Sequence, residues 1–115
     1  MSSLLATQIT FTHLMGTLLV WCAEQGHQVT LGDAYRDPAL QEWYVSHGLS
    51  WTMKSRHLMR LAVDLNLILA DGSLAKTKAD YEPLGVYWES LDPQCVWGGR
   101  WATPDADHFE VKPPV

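Results

Sequence analysis

Asp64 stands inside an otherwise apolar run, Leu61 to Leu69, interrupted elsewhere only by Asn66. A carboxylate there is costly to bury unless it is paired or bound to a metal. Two histidines are candidates to serve it. His57 lies seven residues earlier, out of phase for a shared helix face, but a chain reversal between the two brings both side chains to one point. His108 heads a short strand-like segment, His108 to Val111, that can lie beside the Leu61–Leu69 run. Two imidazoles and one carboxylate suit zinc and leave a fourth position for water, as in catalytic sites. Water held there loses a proton near neutral pH and becomes a nucleophile. An ion-paired or hydrogen-bonded His–Asp cluster is the commoner outcome of such spacing. Asp105, Asp107 and Glu110 surround His108 in sequence. Such an acid-rich stretch is either simply solvated or the source of a general base. Arg36 follows an expected strand. Its fork of donors can hold a carboxylate or a developing oxyanion, or pair with Asp33 or Asp37.

Several elements must position these groups. Phe11, Leu14, Met15, Leu18, Leu19 and Cys22 recur at helical spacing, and Gly26 is a suitable stop. Gln28 to Tyr35 alternates, with Val29 and Leu31 on one face, and reads as a strand. Asp37-Pro38 opens a second helix with Asp37 as N-cap and Pro38 at its first position. Leu40, Trp43 and Tyr44 form its apolar side, and Gly48 ends it. Residues 48–60 form an ordered loop carrying Trp51, Ser55 and His57. Leu61–Leu69, apolar on both faces apart from Asp64 and Asn66, is expected at the centre of a sheet. Asp71-Gly72 is a hairpin turn. A third helix is expected over Pro83–Leu91 with Leu84, Tyr87, Trp88 and Leu91 inward. Gly98-Gly99 reads as a flexible junction, and Pro113-Pro114 closes the chain after the last strand. Helices and strands mix without a repeating βαβ period, which predicts an α+β fold with a small, largely antiparallel sheet.

The 115 residues suit a single domain, 1–115, able to bury one modest core. With 47% hydrophobic and 18% charged residues the chain is not disordered. The net charge of −5 and scattered Lys and Arg exclude a nucleic-acid grip or a polybasic membrane contact. Two cysteines, Cys22 and Cys95, form no disulfide framework and read as buried free thiols. No run of 18 apolar residues is present, since Thr7, Gln8, Thr10, Thr12 and His13 interrupt the N-terminal segment. Neither membrane insertion nor a signal peptide is expected, and the expected location is the cytoplasm of the producing cell. Six tryptophans are many for this length. Trp88 reads as core, and Trp51, Trp97 and Trp101 either join the core or line a groove.

These residues also form a recognisable pattern. Ser55-Arg56-His57-Leu58-Met59-Arg60-Leu61-Ala62-Val63-Asp64-Leu65 resembles the S-x-H-x-x-G-x-A-x-D-L motif of the VanY-like, M15-type zinc peptidases of peptidoglycan. Trp97-Gly98-Gly99-Arg100-Trp101, Asp105-Ala106-Asp107-His108 and Ala34-Tyr35-Arg36 resemble the family's W-G-G-x-W, D/E-x-x-H and Y-R segments, in the family order from about Val29 to Glu110. The short form is similar to small phage members. The resemblance implies a hedgehog/DD-peptidase-like fold and Zn2+ held by His57, Asp64 and His108. It implies Asp105 as the catalytic carboxylate, Arg36 on the scissile carbonyl or a substrate carboxylate, and Ser55 as a substrate contact. It further implies a monomeric peptidoglycan stem-peptide hydrolase of endolysin type, an L-Ala–D-Glu endopeptidase or a D-Ala–D-Ala carboxypeptidase, waiting in the cytoplasm until released to the wall. A metal-stabilised binding module without hydrolysis, as in hedgehog-type domains, is the alternative of another class. Two departures stand out. Arg60 replaces the usual Gly, so the turn after His57 is not expected to use positive φ there. The catalytic acid is Asp rather than Glu, which makes Asp107 a rival. Asp105 fits the spacing, and Asp107 points to the other face if the segment is extended.

Overall fold

The computed structural model describes residues 2–50, 52 and 54–113. Trp51 and Pro114 lie outside them. The main elements are α1 (Ser3–Gln25), β1 (Gln28–Leu31), α2 (Pro38–Ser46), β2 (Ala62–Ile68), α3 (Lys78–Leu91), β3 (Cys95–Trp97) and β4 (His108–Val111). Two 3-10 turns, Arg56–Met59 and Gly98–Arg100, complete the description. The four strands form one antiparallel sheet in the order β1-β2-β4-β3. This is the expected α+β class with β2 inside the sheet.

Alternation along β2 and β4 separates two faces. Val63, Leu65 and Leu67 of β2 and Phe109 and Val111 of β4 enter the core. Ala62 pairs with Glu110 and Asp64 with His108 in the antiparallel register, which places the latter pair side by side on the opposite face. The core face is covered by α1 and α3. Phe11 meets Trp88 edge to face at 5.9 Å, and Trp88 meets Phe109 in the same manner at 6.3 Å. The buried Trp88 indole N–H donates to the Val96 and Glu110 carbonyls, so the aromatic centre also fixes β3 and β4.

The helices start earlier than the apolar spacing suggests. Ser2 caps α1 by accepting from Leu5 N–H. Thr7, Thr12 and Thr17 return their hydroxyls to carbonyls four residues back, so they sit within the helix without interrupting it. By length and composition alone, α1 is therefore long and apolar enough to cross a membrane, contrary to the expectation from unbroken runs. In this fold its Phe11, Met15, Leu18 and Cys22 stripe is buried in the core, and Gly26 ends it at φ 80°. Thr77 caps α3, with its side chain accepting from Asp80 N–H, so Pro83 lies inside the helix rather than at its start. Cys22 and Cys95 are free and buried, and burial pushes their thiols up to about 11 and about 12, a state that suppresses reactivity.

Strand β1 stops at Leu31, which is 68% exposed. Residues 32–33 still follow β2, through Gly32 N–H to the Asp64 carbonyl and Asp64 N–H to the Asp33 carbonyl. On α2 the buried residue is Gln41, while Leu40 and Trp43 are exposed. Arg60 does adopt the left-handed conformation, at φ 59°. Its N–H donates to the His57 carbonyl, and its guanidinium lies 4.2 Å over the Tyr35 ring. These contacts hold a non-glycine residue where glycine is favoured. Gly98-Gly99 is a packed 3-10 turn rather than a flexible junction, with both glycines buried. A side chain at Gly99, or at Gly85 of α3, would collide with the Trp97 ring.

Candidate metal centre and active-site cleft

Three segments meet on the open face of the sheet. Asp64 comes from β2 and His108 from its paired position on β4. His57 arrives on the 3-10 turn just before β2. Ser55 Oγ caps that turn by accepting from His57 N–H at 3.2 Å, and the Arg60 reversal leads the chain back into β2. The Asp64 Oδ1 lies 3.2 Å from His57 Nε2 and 3.3 Å from His108 Nδ1. Tetrahedral ligands held at the usual zinc distances are about 3.3 Å apart, so the donor set and its spacing fit that ion.

The outer hydrogen bonds select the same atoms. His57 Nδ1 donates to the Ala34 carbonyl at 2.8 Å, which leaves Nε2 to face Asp64. His108 Nε2 lies 2.8 Å from Glu110 Oε1, which leaves Nδ1 to do likewise. Carboxylate or carbonyl partners of this kind fix the ring and tautomer of a metal-binding histidine. Glu110, buried and 3.5 Å from Arg56, serves the site from behind rather than as solvated charge. Its place two residues after His108 on a strand, hence on the same face, was the available sequence signal.

Asp105 and Asp107 both approach Asp64. The chain turns here, with His108 N–H donating to the Asp105 carbonyl, so Asp107 is not directed to the opposite face. Asp105 is half exposed, with Oδ2 3.9 Å from His108 Nδ1. Asp107 is pushed up to about 7 by burial, by a hydrogen bond shared with Asp105 and by the nearby charge of Asp64. Arg36 is buried, over the Tyr44 ring at 4.5 Å, with Nη2 3.0 Å from Asp33 and 3.6 Å from Asp64 Oδ2. Its pairing with Asp33 therefore lies within the site. Asp37 instead caps α2. These residues border an open cleft of about 870 Å³ whose rim includes Ser50, Thr52, Ser55 and Trp101. Trp101 leans on the His108 ring at 5.0 Å, whereas Trp97 and Trp88 are core.

Comparison with known proteins decides the family. The sequence profile described as D-alanyl-D-alanine carboxypeptidase, of the M15 peptidases, matches residues 49–111, more than half of the chain. The chain belongs to the M15 peptidase family. It is thus a hydrolytic peptidase, and the matched span contains His57, Asp64, Asp105 and His108. The solved L-Ala D-Glu endopeptidase ChiX of Serratia marcescens is similar, with a TM-score of 0.64 and 28% identity over 75% of this chain and 68% of that one. No match was found among curated proteins.

A Cβ at Gly98 would collide with the Asp105 carbonyl and press within 3.0 Å of the His108 Cβ. Gly98→Ala is expected to displace both and weaken metal affinity about 10-fold or more, measured by chelator competition. The metal-free protein is expected to respond to pH. Burial opposes the charge on Asp64, but hydrogen bonds from His108 and His57 win and lower its pKa to about 2. Burial likewise opposes the His108 cation, but Asp64 and Glu110 raise its pKa to about 9. The depressed Asp64 contributes stability that is lost as pH falls from about 4 towards 2. Raised Asp107 loses its contribution as pH climbs from about 4 through 7, and raised His108 between about 6.5 and 9. The melting temperature of metal-free protein should therefore fall steadily from pH 5 to 9. A rise over that range would contradict these assignments.

Proposed function

We propose that this chain is a zinc-dependent hydrolase of peptidoglycan stem peptides, of endolysin type, acting on the L-Ala–D-Glu bond. The reading rests on one observation above all: the His57–Asp64–His108 triangle, with both outer histidine nitrogens already satisfied, at the edge of an open cleft. Bound zinc would supply Lewis acidity and ease deprotonation of water. Asp105, at the cleft and exposed enough to exchange protons, accepts a proton from the attacking water and returns it to the leaving amine. Arg36 offers its guanidinium to the scissile carbonyl or to a substrate carboxylate. Its Nε is buried and has no hydrogen-bond partner among the described residues. Ser55 orients His57 through its cap and borders the substrate.

The similarity to an L-Ala D-Glu endopeptidase favours that bond. The description of the matching family favours a second reading, removal of a terminal D-Ala. The two are separated by incubating the protein with a synthetic stem pentapeptide and weighing the products. Release of L-Ala from the N-terminal end supports the endopeptidase, and release of the terminal D-Ala alone overturns it. In keeping with the reading, the protein acts as a monomer and is held in the producing cell's cytoplasm until it reaches the wall. A binding module without hydrolysis is disfavoured by the Asp105 carboxylate beside the ligand triangle.

A further inference from the structure

Gln41 is fully buried on α2, beside a cleft where nothing in its own helix requires an amide. Burying an amide is unfavourable unless its polar atoms are satisfied, and a residue needed only to fill space would be apolar. Here all the polar atoms have work. The Gln41 Oε1 accepts from Arg36 Nη1 at 2.8 Å. Its Nε2 donates to Ser50 Oγ at 2.9 Å and to the Thr52 carbonyl. The amide orientation follows from its partners, since a guanidinium only donates and a carbonyl only accepts. Asp33 takes the other arm of Arg36, and the Tyr44 ring lies against the guanidinium. Ser50 and Thr52 belong to the cleft rim.

We infer that Gln41 is a positioning residue that sets the Arg36 guanidinium for substrate and couples it to Ser50 and Thr52 on the rim of the cleft. The inference rests on the peptidase reading of that cleft. If Gln41 acts through Arg36, removing both must cost no more than removing Arg36 alone.

The test is a cycle of Gln41→Leu, Arg36→Ala and the double variant, assayed on peptidoglycan stem peptide, with zinc content measured for each. Gln41→Leu should retain zinc and lose about 10- to 100-fold in kcat/KM, and the double variant should match Arg36→Ala. Penalties that multiply instead would overturn the inference. Gln41→Glu covers the case in which the leucine variant does not fold. It keeps the acceptor for Arg36 and loses both donors, so it should fold and retain part of the activity, and activity equal to the parent would contradict the coupling to the rim. A second measurement needs no substrate. Nitrogen-15 NMR of the Arg36 guanidinium should give separate Nη signals in the parent and in Gln41→Glu, which keeps the acceptor, and merged signals in Gln41→Leu. Unchanged signals in Gln41→Leu would overturn the inference even if the parent cleaves nothing, whereas absence of cleavage with merged signals would count only against the peptidase reading.

Discussion

His57→Ala is expected to abolish tight zinc binding and hydrolysis together. The substitution removes one of three donors and leaves the Asp64 carboxylate with His108 and Arg36 as its remaining close partners. Removal of a buried ring also destabilises the metal-free fold, so a lowered melting temperature alone does not identify a ligand. The decisive quantity is the difference between zinc-loaded and metal-free protein. A ligand at about 100 times its dissociation constant stabilises a fold by about 2.7 kcal/mol. For a domain of this size that is a rise of about 10 °C. The parent should show that rise and His57→Ala should show none. Stoichiometric zinc and an undiminished rise in the variant would remove His57 from the ligand set.

Asp105→Ala should behave in the opposite manner, keeping zinc and losing about 10²- to 10⁴-fold in kcat, the usual contribution of a positioned general base. Asp107→Ala is the necessary comparison, because both acids approach Asp64. Asp107 is the more buried of the two, whereas Asp105 stands half exposed at the cleft, where an attacking water can reach it. Its removal should therefore cost much less activity than removal of Asp105. An active Asp105→Ala beside an inactive Asp107→Ala would reverse the assignment.

Much of this arrangement was legible in the sequence because it depends on local rules. An isolated Asp in an apolar strand demands partners, and strand alternation carries Asp64 and His108 to one face once their strands pair. The Asp37-Pro38 cap, the Gly26 stop and the Asp71-Gly72 turn also follow from residue type alone, and Gly72 adopts φ 86°. Features that depend on distant partners were not legible. Nothing in residue type marks Gln41 until Arg36, Ser50 and Thr52 surround it. Alternation puts Glu110 on the His108 face, but its burial beside Arg56 follows only once β2 and the 3-10 turn pack against β4. Strand β3 has only three residues and no alternation to announce it. The positive φ at Arg60 is held by contacts with His57 and Tyr35, which no rule about glycine supplies. Packing against Trp97 similarly turns Gly98-Gly99 from an apparent hinge into a fixed support for the His108 loop.

Metal-dependent cleavage of the bacterial wall can be observed in a single digestion. Purified peptidoglycan is digested with the protein as isolated, after chelation, and after zinc is restored, and the soluble products are analysed by mass spectrometry. Released stem peptides that vanish on chelation and return with zinc are the predicted result. Cleavage that persists unchanged in metal-stripped protein, or no cleavage with zinc verified as bound, would contradict it.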